Sequence, residues 1–250
     1  MDIEKNRSTL TNLLQLYDKW VMAANKGQCT GAVLLDLSSA FDLVSPEILL
    51  KKLKIYGLNE SFLNWIHSYM SGRSQAVWID HVFSSFLDCD VGVPQGSILG
   101  PLLFMVYVND LPFTLNCSVE QYADDTTLSH AAESSFRTSS VLTQKYQKVS
   151  EWMTENKLKL NADKTHLMTI GTDQKLRDPE NQISVTMDQV SLIESADGSE
   201  KLLGCYFQNN LKWWTHIANS NSAMSRNIVQ QCQTTSDGNL LHRRFQYEKQ

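Results

Sequence analysis

The sequence predicts an α+β fold, a sheet packed on helices, and three observations predict it. Segments with apolar residues at helical spacing intermingle with short strand-like runs, the strand-like runs come in consecutive pairs suited to antiparallel hairpins, and 250 residues with 42% hydrophobic content can bury a core. No internal repeat or low-complexity tract competes with that reading.

The elements follow in chain order. "TLTNLLQLYDKWVMAAN" carries Leu10, Leu13, Leu14, Tyr17, Val21 and Met22 as an apolar helical stripe closed by Gly27. The run Ala32 to Leu35 suits a buried strand ending at Asp36. "SPEILLKKLKIYG" supplies Ser45 as N-cap, Pro46 at the first helical position and Gly57 as C-cap. "ESFLNWIHSYMSG" repeats the helical pattern through Phe62, Trp65, Ile66, Tyr69 and Met70, stopping at Gly72. "SQAVWID" and "HVFSSFLDCDVGV" read as strands joined at Asp80 and His81. "PQGSILGPLLFMVYVNDL" reads as a loop entering a helix with Leu99, Leu102, Leu103, Val106 and Tyr107 on its inner face, ended by Pro112. "SVEQYADDTTLSH" reads as two strands around a turn, and Leu142, Tyr146, Val149, Trp152 and Met153 mark a long helix from Ser134 to about Asn156. "ISVTMDQVSLI" and "KLLGCYFQ" read as strands. From Asn209 onward the periodicity weakens, so that tail is expected to be poorly ordered.

Composition excludes several classes. Five scattered cysteines without a C-x-x-C pair argue against a disulfide framework and a zinc site. No apolar run approaches the roughly 20 residues of a membrane span, and "MDIEKNRSTL" lacks the apolar centre of a signal peptide, so a soluble intracellular protein is expected. A formal charge of −5 is opposite in sign to the basic stripe of a nucleic-acid binder.

Three features carry chemistry. Asp124 and Asp125 crowd one turn, where both carboxylates could project towards one ligand; two turn-favoured aspartates are also the bland content of an ordinary hairpin. Asp36 ends the buried strand, and its bland role is an N-cap. Were that strand to pair beside the hairpin, three carboxylates would meet at one sheet edge and repel unless cations neutralised them, an arrangement suited to two divalent metals in phosphoryl transfer. In "GVPQGSILGP", Gly92, Gly96 and Gly100 allow close backbone approach and Ser97 could cap a helix whose N-terminus favours phosphate.

In this order the three features resemble the palm of a reverse transcriptase from a non-LTR retrotransposon of the LINE or jockey type, a resemblance running from about Lys5 to His216. "GAVLLDLSSAFDLV" resembles the first catalytic motif, which would make Asp36 a metal ligand and Phe41 the residue packing on the incoming sugar, with core packing as the alternative. "GVPQGSILGPLLFMVYVNDL" resembles the next motif, with Gln95 and Gly96 at the nucleotide and template site. "YADD", Tyr122 to Asp125, resembles the catalytic hairpin, with Tyr122 on the nucleotide and Asp124 and Asp125 as the remaining metal ligands. "WMTENKLKLNADKTHLM" resembles the following palm segment and places Lys164 near the leaving pyrophosphate, as a general acid or as a solvated lysine. "KNRSTLTNLL", "SGRSQAVWI" and "KLLGCYFQNNLKWWTHI" resemble the end of a fingers motif, an insertion before the second motif and the primer grip.

The resemblance implies a palm-like antiparallel sheet packed on helices with remnants of fingers and thumb: fingers in residues 1–29, palm in 30–208 with a fingers-like insertion near 60–90, and a degenerate thumb-side tail in 209–250. It implies RNA-directed DNA polymerase chemistry with two Mg²⁺ ions, or Mn²⁺, on Asp36, Asp124 and Asp125, and an RNA template, a DNA primer and dNTPs as partners. Upstream fingers, endonuclease and thumb would be lost or supplied elsewhere, which leaves Arg7 and Arg73 as the basic contacts or as merely solvated arginines. Two other classes stay open, a non-catalytic remnant or binding module and an unrelated metal-dependent nuclease.

Overall fold

The computed structural model describes residues 8–115, 119–122, 125–187, 190–195 and 197–236. Helix α1 (Thr9–Asn25) opens with a capping box: Ser8 Oγ accepts the Thr11 N–H and Thr11 Oγ1 accepts the Ser8 N–H. It stops before Gly27, whose φ of 71° is left-handed. The buried stripe is Leu13, Leu16, Trp20 and Ala23, whereas Leu10, Leu14 and Met22, expected to be inside, are exposed. Spacings of three and four centred on Trp20 define the face that docks, because the largest ring removes the most apolar area from water.

Strand β1 (Cys29–Leu35) is buried at all 7 positions, as its apolar run predicts, and runs into a short 3-10 turn at Ala40–Leu43. Helix α2 (Pro46–Ile55) starts with Pro46 and is followed by Gly57 at φ 84°. The Ser45 side chain makes no capping bond; its backbone N–H donates to the buried Tyr107 Oη at 3.3 Å instead. Helix α3 (Glu60–Met70) buries Leu63, Ile66 and Met70 but leaves Phe62 and Trp65 exposed.

A hairpin arm follows. Strand β2 (Arg73–Gln75) pairs with β5 (Leu87–Cys89), and β3 (Trp78–Ile79) with β4 (Val82–Phe83). The join falls at Asp80 and His81 as expected, both left-handed (φ 48° and 67°), the pair of conformations a two-residue hairpin turn requires. Helix α4 (Leu99–Val108) buries Leu103, Phe104 and Tyr107 while Leu102 faces solvent. Pro112, expected to end it, sits instead in the first turn of α5 (Leu111–Leu115), where a missing N–H forfeits no helical bond.

Strands β6 (Val119–Tyr122) and β7 (Asp125–Ala132) flank the predicted turn. Helix α6 (Ser135–Glu155) buries Leu142, Tyr146, Val149, Trp152 and Met153, the stripe read from sequence. After β8 (His166–Ile170) and the single turn α7 (Asp173–Leu176), the stretch read as one strand is divided into β9 (Thr186–Met187), β10 (Val190–Ser191) and β11 (Ile193–Glu194). Strands β12 (Ser199–Leu202) and β13 (Cys205–Gln208) form a hairpin through Leu203 and Gly204, the latter at φ 87°.

Over residues 209–236 the tail differs from its expectation, and residues 237–250, which that expectation also covers, lie outside the described residues. Helix α8 (Trp214–Ser236) occupies most of the segment from Asn209, which contains neither Gly nor Pro before Ser236. It is anchored at its start: Gln208 Oε1 accepts the Thr215 N–H, His216 Nδ1 accepts the Tyr206 N–H, and Trp213 packs on Tyr17 and Phe207. Polar composition hid this helix, since no apolar stripe announces it.

The main sheet has five strands in the order β11-β8-β1-β7-β6, antiparallel except where β11 meets β8. Strand alternation assigns its two faces. Val33 and Leu35 join the larger core with residues of α2, α3, α4 and α6, whereas Ala32 and Leu34 join a second core with Leu13, Leu16 and Trp20 of α1 and with Leu202 and Phe207. The Lys19 ammonium pairs with Glu120 and ties α1 to β6.

Candidate active site

The β1–β7 ladder ends next to two of the predicted carboxylates. The last β1–β7 pair is Leu35 opposite Thr126, so the next positions outward are Asp36 and Asp125. Leu37 belongs to the larger core and Leu34 to the second, which puts Asp36 on the second face; Asp125 lines a pocket with Leu13, Leu16 and Leu202 of that same face. The third carboxylate, Asp124, and Ala123 lie outside the described residues; Tyr122 pairs with Asp125 through the backbone. Among the described residues no three His, Cys, Asp or Glu side chains form a metal-binding group, and the predicted trio contains Asp124. Asp36 and Asp125 offer oxygen donors alone, the donor set that fits a hard divalent cation.

The main chain of Asp36 is clasped by the turn at residues 161–165. Its N–H donates to Thr165 Oγ1 at 3.4 Å, and its carbonyl accepts the Asn161 N–H at 2.9 Å. Thr165 is fully buried, so the clasp is rigid at its base. Lys164 is exposed on that same turn, one residue from Thr165. The predicted lysine therefore comes to the neighbourhood of Asp36, although 129 positions separate Asp36 from Thr165.

The glycine loop docks on the 3-10 turn. Gly92 N–H donates to Val44 O at 2.8 Å and Val93 N–H to Phe41 O at 2.9 Å. Gly92 has φ 83°, and a Cβ there would meet Asp42 Cα and O at 2.9 Å, so close approach is real at this glycine. Phe41 is half-buried with its ring 4.5 Å from Phe104, which is the core packing its bland reading expects. Gln95 Nε2 donates to Asp42 Oδ1 at 2.7 Å, and Gly96 follows at φ 77° with open space where a Cβ would be. Ser97 Oγ accepts the Gly100 N–H at 3.0 Å and donates to Pro94 O at 2.7 Å, a capping-type bond made one position ahead of Ile98, the N-cap of α4, which makes none through its side chain.

Arg73 does different work from that expected. Its guanidinium donates to the carbonyls of Met70 (2.8 Å), Val91 (3.1 Å) and Gly92 (2.5 Å), which holds the glycine loop from behind and engages the fork with the backbone. Arg7 lies outside the described residues. Asp42, Asn161 and Thr165 were not singled out from sequence. Asp42 stands inside the quoted first motif, but nothing local indicates a partner 53 positions on.

The fold is a polymerase palm: a mainly antiparallel sheet on helices, with the glycine loop docked on the turn that follows its central strand. The chain belongs to the family described as reverse transcriptase (RNA-dependent DNA polymerase), which matches residues 1–230. It is 32% identical over 148 residues to the RNA-directed DNA polymerase from mobile element jockey of Drosophila melanogaster, covering 56% of this chain and 16% of that protein. It is 26% identical over 223 residues to the probable RNA-directed DNA polymerase from transposon BS of the same fly, covering 85% and 24%. The chain thus spans a quarter or less of these relatives' length. Among solved structures it is similar to apo telomerase from Candida tropicalis truncated from its C-terminal domain, with a TM-score of 0.57, 11% identity, and coverage of 83% of this chain and 40% of that one. That likeness shows the fold alone. Reverse transcriptases as a family use divalent metal ions, and no helix among the described residues is long and apolar enough to cross a membrane.

Proposed function

We propose that this chain is the palm of a non-LTR retrotransposon reverse transcriptase, which joins a dNTP to a DNA primer 3′-hydroxyl on an RNA template inside the cell. The observation that supports the reading is the β1–β7 register, whose last pair, Leu35 opposite Thr126, adjoins Asp36 on one strand and Asp125 on the other. With Asp124, these residues would hold two Mg²⁺ ions, or Mn²⁺. Bound there, the ions supply a lowered pKa at the attacking hydroxyl and charge stabilisation on the triphosphate. Phe41, Gln95, Gly96 and Tyr122 would bind and orient the nucleotide, Gly96 because its bare backbone stands open. Lys164 Nζ would give a proton to the departing pyrophosphate, carried there by the turn that clasps Asp36. The same reading assigns residues 1–29 to the fingers, 30–208 to the palm and 209–250 to the thumb side.

Primer extension on an RNA template with Mg²⁺ tests it. Extension is expected from the wild-type chain, none from Asp36→Asn or Asp124→Asn, and a kcat lowered about a hundredfold or more in Lys164→Ala. Equal extension by wild type and the aspartate variants would overturn the assignment. A folded chain without extension would favour the non-catalytic remnant or binding module.

A further inference from the structure

Asp42 has no role in the polymerase reading, yet its carboxylate accepts a 2.7 Å hydrogen bond from Gln95 Nε2. We propose that Asp42 is a positioning residue of the nucleotide site, fixing which end of the Gln95 amide faces the incoming nucleotide. The proposal rests on the reading of Gln95 as a nucleotide contact.

The chemistry is one-sided. An ionised carboxylate only accepts hydrogen bonds, whereas a primary amide has a donating and an accepting end. Bonded to Asp42, Gln95 commits Nε2 to that contact and turns Oε1 away. The site is therefore offered an acceptor, suited to a hydroxyl or amino donor on the nucleotide. Without Asp42 the amide can rotate about its last carbon–carbon bond and present either end, and the preference is lost.

The two side chains are exposed, and it is the backbones beneath them that are held in place. The main-chain bonds Gly92 to Val44 and Val93 to Phe41 bracket Asp42 on both sides, and Asp42 N–H itself donates to Ser39 O at 2.9 Å. Arg73 holds the carbonyls of Val91 and Gly92 from the opposite side. The two segments that carry Asp42 and Gln95 are thus pinned together through backbone atoms. None of those contacts uses the Asp42 side chain, and the close approach at Gly92 is to Asp42 Cα, C and O. Replacing the side chain removes the hold on Gln95 and leaves the loop docked.

Two measurements on the full chain test this, using Asp42→Ala, Asp42→Asn, Gln95→Ala and the double variant Asp42→Ala/Gln95→Ala. In side-chain amide NMR spectra, with the Gln95 signals identified by their loss in Gln95→Ala, one Gln95 proton is expected downfield in the wild type and at the free-amide position in Asp42→Ala. In primer extension, Asp42→Ala is expected to raise the dNTP KM about tenfold with kcat within about twofold. Asp42→Asn keeps one accepting oxygen and is expected to recover part of the loss; the double variant is expected to be no weaker than Gln95→Ala alone. An unmoved Gln95 resonance, an unchanged KM, or additive losses in the double variant would each overturn the proposal. A wild-type chain that extends no primer sinks the polymerase reading instead, and the NMR result then decides by itself whether Asp42 orients Gln95.

Discussion

Gly92 and Gly96 have similar left-handed backbones but different surroundings, and the difference can be measured. An alanine Cβ at position 92 would meet the Asp42 backbone at 2.9 Å, whereas at 96 it would meet nothing within 4 Å. Gly96→Ala is therefore expected to cost about 1 kcal/mol from the left-handed φ alone. Gly92→Ala adds a backbone collision that no rotamer relieves and should cost about 1–3 kcal/mol more. Urea denaturation of the two variants checks the order, and a Gly92→Ala midpoint equal to that of Gly96→Ala would remove the docking argument. The sequence made the glycines legible as sites of close approach because only a missing Cβ permits it. It left the approached residue illegible, since what Gly92 approaches is backbone, and backbone carries no residue-specific signature. Arg73 was misread for a related reason: carbonyl partners are invisible in sequence, so an arginine near a nucleotide motif suggests phosphate.

At the scale of elements, strand β1 against helix α6 is the tightest seam examined by a glycine. A Cβ at Gly31 would lie 2.4 Å from Leu142 Cδ1, 3.1 Å from Ile183 Cγ2 and 3.2 Å from Thr138 Cγ2. Gly31→Val should overpack this seam and lower stability by about 1–3 kcal/mol. Trp78→Ser, on the β3–β4 arm where Trp78 is 59% exposed, loses its cross-strand stacking on Phe83 and should cost about 0.5–1.5 kcal/mol despite the larger change in side chain. Thermal melts of both variants compare them directly. Opposite Gly31 on β7, His130 has its pKa held below 6.5 by burial first and then by Lys145 and Arg137. The unfolded chain thus takes up this proton at higher pH than the folded one. The stabilising contribution is full above about pH 6.5 and is lost as pH falls towards the depressed folded value. His130→Gln should flatten the stability profile below pH 6.5, read from urea midpoints; an unchanged slope would mean His130 titrates normally. Helix α6 was legible whole because its apolar stripe is long and no Gly or Pro interrupts it. In α1 the helix was legible but the face was not, since Leu10 and Leu14 are as apolar as Leu13 and Leu16, and only the sheet selects between them.

Across the whole molecule, the distribution of cations limits what this chain holds by itself. Its 22 Lys and Arg residues are outnumbered by 27 Asp and Glu. Several of the cations are already engaged: Lys19 with Glu120, Lys51 with Glu47, Lys54 with Glu60 and Lys212 with Asp173. Lys52 is further removed from use, bonded to Asp110 at 2.7 Å and lying 4.9 and 4.7 Å from the ring centroids of Tyr107 and Trp152. Arg73 serves backbone carbonyls. Affinity for a primer–template duplex grows with the number of phosphates neutralised, and each neutralised phosphate steepens the salt dependence. The chain alone is therefore expected to bind an RNA–DNA primer–template with Kd no tighter than about 10⁻⁶ M at physiological salt, and with a shallow slope of log K against log salt. Fluorescence anisotropy of a labelled duplex across a salt series measures both quantities. Nanomolar binding with a steep slope would mean that a basic surface exists which neither the net charge nor the described ion pairs reveal. Weak, salt-insensitive binding would mean that the carboxylates of the palm act on a duplex held by groups outside these 250 residues.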